Sequence, residues 1–211
     1  MSEFFTKRTV GYDEHMLNEV EGCREGYIKM ASLIPKGCLT LLDLGCGTGL
    51  ELDEIFKLHP DLAVVGIDMT ASMLRELKRK HPEKRLELIE GDYFKVPFGK
   101  EKFDIAVSFE TLHHFTAEKK LGLYEKIFAS LKQGGAYIEC DYMVETQAEE
   151  DAIRDEYARL RCEQGIIDEE FYHFDTPLTV KKQIEILRSA GFASVEPVFK
   201  IGNTVMLLSK K

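Results

Sequence analysis

Leu41-Leu42-Asp43-Leu44-Gly45-Cys46-Gly47-Thr48-Gly49-Leu50 is the stretch whose reading decides the fold. Apolar residues lead into Asp43. Glycine then stands at three alternate positions, and Leu50, Leu52, Ile55 and Phe56 follow with helical spacing. This predicts a buried strand, a tight turn and an amphipathic helix. Glycine is required where φ is positive or where a ligand approaches the main chain closely. The helix directs its free N–H groups and its positive dipole end at whatever lies over the turn. The stretch is therefore a cradle for a polar ligand at the carboxyl end of a strand.

Spacing narrows the ligand class. A dinucleotide fingerprint reads G-x-G-x-x-G/A. Five positions beyond Gly45 stands Leu50, so the pattern here is D-x-G-x-G-x-G instead.

Downstream, the apolar run Ala63 to Ile67 predicts a second buried strand ending in Asp68. A carboxylate there accepts paired hydrogen bonds from two ribose hydroxyls, and Met69 can lie against an adenine face. Thr70 is the expected N-cap of a helix that turns Met73, Leu74 and Leu77 inward. Leu86 to Glu90 is a third strand, followed by G-D-Y-F at 91–94. Phe103 to Phe109 is a fourth, followed by E-T-L-H-H-F at 110–115. Thr116 caps the next helix, L-K-Q-G-G at 131–135 stops it, and Ala136 to Tyr142 is a fifth strand.

Thr146 and Glu149 form a capping-box pattern ahead of a helix striped by Ile153, Tyr157 and Leu160, with Gly165 as its stop. The loop 166–177 carries Phe171, Tyr172, His173 and Phe174. Thr179 begins the last helix, and Gly202-Asn203 predicts a hairpin between Ser194–Ile201 and Thr204–Ser209. At the other end, Met16, Val20, Tyr27, Met30 and Ile34 suggest one helix interrupted by Gly22 and Gly26. Phe4, Phe5 and Tyr12 either fold over a ligand or pack on the sheet edge.

Composition bounds the function. The 211 residues suffice for one sizeable core. No run approaches the ~20 apolar residues of a membrane span, and M-S-E-F-F-T-K-R lacks a signal-peptide apolar region. A cytoplasmic protein is expected. Net charge is −9, and it is concentrated between Glu139 and Glu170, where 12 acidic residues face 3 basic ones. A phosphate-binding surface needs the opposite sign, so nucleic acid is disfavoured as a partner. The five cysteines form no C-x-x-C pair, which removes the zinc and thioredoxin readings. No metal is expected. Cys46 is a small packing residue within the turn.

The glycine loop, Asp68, G-D-Y at 91–93, the fourth-strand F-D and L-K-x-G-G occur in the order found in class I S-adenosylmethionine-dependent methyltransferases. The chain resembles that family, in its small single-domain form, over roughly residues 38–142. The resemblance implies an α/β, Rossmann-like, doubly wound seven-stranded sheet. It is mostly parallel, with an antiparallel C-terminal hairpin strand and helices on both faces. It implies one methyltransferase domain over 1–211, with an N-terminal helical cap at 1–36 and a helical lid insertion at 143–178. S-adenosyl-L-methionine would be the cofactor, held by Asp43, Gly45, Cys46, Gly47, Gly49, Asp68, Met69, Asp92, Tyr93 and Ser108. In this family the acid at Asp92 accepts from the adenine amino group and Tyr93 flanks the ring, while the residues' own signal at Asp92 is turn capping.

Acceptor-side candidates are Glu110, His113 and His114, with Asp141, Tyr142, Tyr172 and His173 nearby; one imidazole is suited to act as a base. The partner expected is a small-molecule acceptor, without membrane association, in a monomer or a homodimer. The closing L-T-V-K-K-Q and S-A-G-F segments are also similar to carboxy-S-adenosylmethionine synthases of tRNA wobble-uridine modification. Those need an arginine in the lid loop for the extra carboxylate. Gly165 to Phe174 holds no Arg or Lys, and Asp168, Glu169 and Glu170 would repel that group. The acidic lid favours an amine-bearing or cationic acceptor instead. A cofactor-binding protein without transferase activity and a nicotinamide-dependent oxidoreductase stand as the other readings.

Overall fold

The computed structural model describes residues 11–166 and 174–211. Seven strands form one sheet in the order β3-β2-β1-β4-β5-β7-β6. They are β1 Thr40–Leu44, β2 Ala63–Asp68, β3 Leu86–Glu90, β4 Phe103–Phe109, β5 Leu131–Tyr142, β6 Ser194–Ile201 and β7 Thr204–Lys210. β3, β2, β1, β4 and β5 run parallel, and β7 pairs antiparallel with both β5 and β6. The chain reverses direction across the sheet between β1 and β4, which opens a crevice at their carboxyl ends.

The described helices are α1 Tyr12–Asn18, α2 Cys23–Leu33, α3 Leu50–Leu58, α4 Ala71–Lys80, α5 Ala117–Ser130, α6 Gln147–Gln164 and α7 Val180–Ser189. Strand side chains alternate between two cores, as the pleat requires. Leu41, Val64, Ile105 and Ile138 pack with α2, α3 and α4. Leu42, Ile67, Ala106, Tyr137 and Leu207 pack with α5 and α7 on the other face. No helix among the described residues is long and apolar enough to cross a membrane.

Some elements differ from the sequence expectation. The N-terminal periodicity belongs to two helices. Gly22, at φ 81°, breaks the chain, while Gly26 stays inside α2 because Phe109 lies where a Cβ would be, 2.9 Å away. Cys23, Tyr27 and Met30 of α2 are buried against the sheet, so this helix is part of the face layer. β5 begins at Leu131, ahead of the expected Ala136. Leu131 pairs with Phe103, and the register then shifts so that Ile105 pairs with Ala136. The F-D acid of β4, Asp104, sits at the amino end of the strands, far from the crevice mouth. It accepts from the N–H groups of Leu39 and Thr40 and from Lys132 Nζ at 2.8 Å. Burial opposes its ionisation, yet these donors hold it down to about 2.

α6 carries the expected capping box and ends at Gly165 in the left-handed region. Most of it is exposed. Its buried Glu150 accepts from Thr179 N–H at 2.9 Å and Lys182 Nζ at 2.7 Å, which ties the helix to the start of α7. Part of the −9 segment is therefore internal, because Glu139, Asp141 and Glu150 are all buried. Phe171, Tyr172 and His173 lie outside the described residues.

Candidate functional site

The three motif glycines serve three different purposes. A Cβ on Gly45, at φ 72°, would come within 2.4 Å of Thr111 Oγ1 beyond β4. A Cβ on Gly49, at φ 77°, would meet Leu77 of α4 at 2.4 Å. Gly47 instead faces open space; the nearest atom to its Cβ position is the Gly45 carbonyl at 3.9 Å. Gly45 and Gly49 let neighbouring elements close in, and Gly47 keeps the cradle itself clear. Cys46 turns away from it, onto Gly66 of β2.

Above the turn lies a cleft of about 550 Å³, its open mouth included. Gly45, Gly47, Asp68, Met69, Thr70 and Met73 form one wall, from the β1 turn and the end of β2. Tyr93, Phe109, Glu110 and Thr111 form the other, with Tyr12 of α1 over them. Tyr93 is fixed by its hydroxyl, which donates to the Thr111 carbonyl at 3.0 Å. Phe109 stacks on Tyr27 with ring centroids 4.0 Å apart. α1 is held in place through Asp13, which accepts from Thr48 Oγ1 and pairs with Lys80.

Asp68 is buried among donors. Its Oδ2 accepts from Gly47 N–H at 3.0 Å and its Oδ1 from Thr70 N–H at 2.7 Å. Burial raises its carboxyl, and these N–H groups partly offset that. Each carboxylate oxygen has a second lone pair, so bonds to a ligand's hydroxyls remain available. Thr70 occupies the N-cap position of α4 without a side-chain cap bond, since its hydroxyl engages Asp68.

Beneath the turn, Asp43 and Glu51 face one another. Neither Asp43 oxygen nor Glu51 Oε1 has a conventional hydrogen-bond donor. Burial and then the neighbouring Glu51 push the Asp43 carboxyl far above the carboxylate range, and burial pushes Glu51 up to about 7. One proton shared across the pair accounts for both. Two buried acids without donors suit a ligand that brings an ammonium group.

Beyond β4, Glu110 adopts φ 47°, a strained conformation for a side-chain-bearing residue. Burial pushes its carboxyl up to about 8, with His113 opposing. His113 Nδ1 donates to Asp141 Oδ1 at 2.6 Å, and Asp141 also accepts from Leu112 N–H at 3.0 Å. Burial disfavours charge on His113, but Asp141, Asp175 and Glu110 outweigh it and bring the imidazole up to about 10.

Of the residues predicted for the cofactor, Gly45, Gly47, Asp68, Met69 and Tyr93 line the cleft. Asp43, Cys46 and Gly49 lie under or behind it. Asp92 Oδ1 accepts from Phe94 N–H at 2.9 Å, the turn-capping alternative. Ser108 is fully buried and bonded to Tyr137 Oη at 2.7 Å. Glu110 lines the cleft, while His113 and His114 stand behind it. Tyr12 lines the cleft and also packs against the core beside it, and Phe4 and Phe5 lie outside the described residues. Sequence reasoning missed Glu51, Thr111 and Asp175. Only Glu51 carried a signal, an acid in the first turn of the motif helix.

A methyltransferase domain family model matches residues 41–135, from the first strand through the L-K-Q-G-G turn. Those residues match a methyltransferase domain, and the chain is similar to the class I S-adenosylmethionine-dependent methyltransferases. Carboxy-S-adenosyl-L-methionine synthase of Nautilia profundicola is 26% identical over 81% of the chain and 76% of its own length. Demethylmenaquinone methyltransferase of Roseiflexus is 37% identical over 41% of the chain and 37% of its own length. Human N-acetylserotonin methyltransferase, solved with its cofactor, superposes with a TM-score of 0.65 at 20% identity over 90% of the chain. The methyltransferase chain described here covers 52% of that structure's length, and the likeness shows the fold. The cofactor of this methyltransferase is S-adenosyl-L-methionine. Its residues fit the group: the open cradle at Gly47 admits the main-chain approach, and the donor-less Asp43–Glu51 pair suits an ammonium.

Proposed function

We propose that the protein transfers a methyl group from S-adenosyl-L-methionine to a small-molecule acceptor that enters beside Glu110, and that residues 1–211 act as one domain. The observation that carries this reading is a single cleft between the Asp68 wall and the Glu110 wall, on either side of β1. When bound, the cofactor supplies a methyl group on a positively charged sulfur, open to in-line displacement.

The chain's own work is positioning and exclusion of water. Asp68 holds a sugar hydroxyl, Met69 and Tyr93 flank a base, and Asp92 is offered as the acceptor for its amino group. Tyr12 and Phe109 keep solvent out. Glu110 receives the acceptor's proton when the acceptor has one to lose. His113, whose Nδ1 lies 3.5 Å from Glu110 Oε2, holds Glu110 in place from behind, and His114 packs on His113. Orientation of this kind contributes up to roughly 7–11 kcal/mol to lowering a barrier.

The test is methyl transfer from labelled cofactor across a panel of neutral, anionic and cationic small molecules. A methylated product, with kcat reduced roughly 100-fold in Glu110→Gln, is expected. Tight cofactor binding with no product from any acceptor would leave a cofactor-binding protein without transferase activity. Light scattering on the same samples decides whether the protein is a homodimer.

A second reading is favoured by one comparison. Four relatives matched over 81% or more of the chain are carboxy-S-adenosyl-L-methionine synthases, at 24–29% identity. The absence of Arg and Lys between Gly165 and Phe174 weighs against it. Calorimetry with S-adenosylmethionine and its carboxylated derivative separates the two, and tighter binding of the carboxylated form would reverse the preference.

A further inference from the structure

Behind Glu110, three electron-pair donors converge where β4, β5 and the segment before α7 meet. His113 Nε2 lies 3.4 Å from Asp175 Oδ1, and His114 Nδ1 lies 3.2 Å from the same oxygen. All three residues offer a ligand atom within 4.8 Å of the others. We propose that His113, His114 and Asp175 form a binding site for a divalent transition-metal ion of the zinc type, a role that goes beyond the methyl-transfer reading and does not depend on it.

The spacing supports this. Bonds of 2.0–2.1 Å arranged tetrahedrally around zinc put neighbouring ligand atoms roughly 3.3 Å apart. Both separations to Asp175 fall close to that value. The second shell is also in place. A ligating histidine ordinarily donates its other ring nitrogen to a carboxylate, which fixes the tautomer. His113 Nδ1 does so to Asp141 at 2.6 Å, leaving Nε2 as the ligating atom. Asp141 is itself held by Leu112 N–H at 3.0 Å and Tyr142 N–H at 3.0 Å.

The third ligand is positioned by its neighbour in sequence. Thr176 N–H donates to the His113 carbonyl at 3.0 Å, and its hydroxyl donates to the same atom at 3.2 Å. Asp175 is thereby carried opposite the imidazole. The two histidine side chains are largely buried, and so is the Asp175 oxygen that faces them, while the rest of that side chain reaches solvent. Charge agrees. Asp141 adds a second carboxylate to that of Asp175 beside His113. Two nitrogens and one carboxylate are the protein donors of one class of catalytic zinc site. Ferrous iron accepts the same set.

The test uses tag-free full-length protein, stripped with a chelator and titrated separately with Zn²⁺, Co²⁺, Fe²⁺ and Mg²⁺. About one Zn²⁺ or Co²⁺ per chain is expected by elemental mass spectrometry, with the visible bands of tetrahedral cobalt. His114→Ala and Asp175→Asn are each expected to weaken binding by at least tenfold. Asp141→Asn, which touches no ion, is expected to weaken it roughly 10- to 100-fold through the tautomer of His113. Circular dichroism of each variant confirms folding, and S-adenosylhomocysteine affinity, measured in parallel, tests the methyltransferase reading separately. Failure to retain any of the ions, or binding unchanged in both His114→Ala and Asp175→Asn, would overturn the proposal and leave an ion-pair network closed by a proton.

Discussion

Gly47 donates its main-chain N–H to Asp68 Oδ2 at 3.0 Å across 21 positions of sequence. The acid at the end of β2 therefore shapes the glycine turn as well as lining the cleft. Its other oxygen takes Thr70 N–H at 2.7 Å, so one carboxylate joins the turn, the strand end and the start of α4. Replacing it strips donors on two elements at once. Asp68→Ala is expected to weaken S-adenosylhomocysteine binding by at least about tenfold. It should also destabilise the fold by about 1–3 kcal/mol, since buried N–H groups lose their acceptor. Calorimetry and denaturant unfolding measure the two effects, and a variant that lost affinity at full stability would limit Asp68 to ligand contact.

The glycines should separate in the same way. Gly47→Ala introduces a Cβ into open space at φ 46°. It should cost about 1–2 kcal/mol of backbone strain while abolishing cofactor binding. Gly49→Ala drives its Cβ to 2.4 Å from Leu77 Cδ1. It should lower the melting temperature by more, with about 1–3 kcal/mol of overpacking added to the strain. Thermal melts with and without S-adenosylhomocysteine distinguish the two outcomes.

Glu51 sets a pH dependence. Its carboxyl lies up at about 7 in the folded chain, against 4.5 for an unperturbed glutamate, with burial as the cause. Over that interval the folded protein holds a proton that the unfolded chain has released. The stability that this proton contributes is therefore full below about pH 4.5 and is lost as pH rises through about 7. Glu51→Gln should flatten this decline in a pH series of melting temperatures. An unchanged slope would mean that the proton resides elsewhere.

Far from the cleft, Lys120, Glu139, Tyr124 and Gln183 form a buried polar network. Gln183 Nε2 donates to Glu139 Oε1 at 2.7 Å, Tyr124 Oη donates to it at 2.9 Å, and Lys120 Nζ reaches Gln183 Oε1 at 3.2 Å. Burial raises Glu139 to about 7, with Lys120 the main opposing charge. Lys120→Met should therefore cost about 1–3 kcal/mol, because Gln183 Oε1 loses its buried donor and Glu139 its main opposing charge. Adding Glu139→Gln should recover part of that loss in denaturant unfolding.

Much of this protein is written locally. The strand, turn and helix around Gly45, Gly47 and Gly49 follow from apolar period and from which residues tolerate positive φ. Those preferences act over a few residues and need no distant partner. The capping box at Thr146 and Glu149 and the hairpin at Gly202-Asn203 are legible for the same reason. Asp68 was legible too, because its offset from the turn reflects one crossover helix.

The sequence did not determine which side chains would share a space once the crossovers packed. Gly45 meets Thr111 because β1 and β4 are neighbours in the sheet although two strands separate them along the chain. Asp175 meets His113 because its neighbour Thr176, 63 positions from His113, bonds the His113 carbonyl through its N–H and its hydroxyl. Asp104, legible as a motif acid, proved to join strand ends at the opposite end of the sheet from the crevice. Periodicity tells a residue which face it occupies. Which residues converge on one point depends on the order of strands and the loops between them, and these are settled only when both cores close.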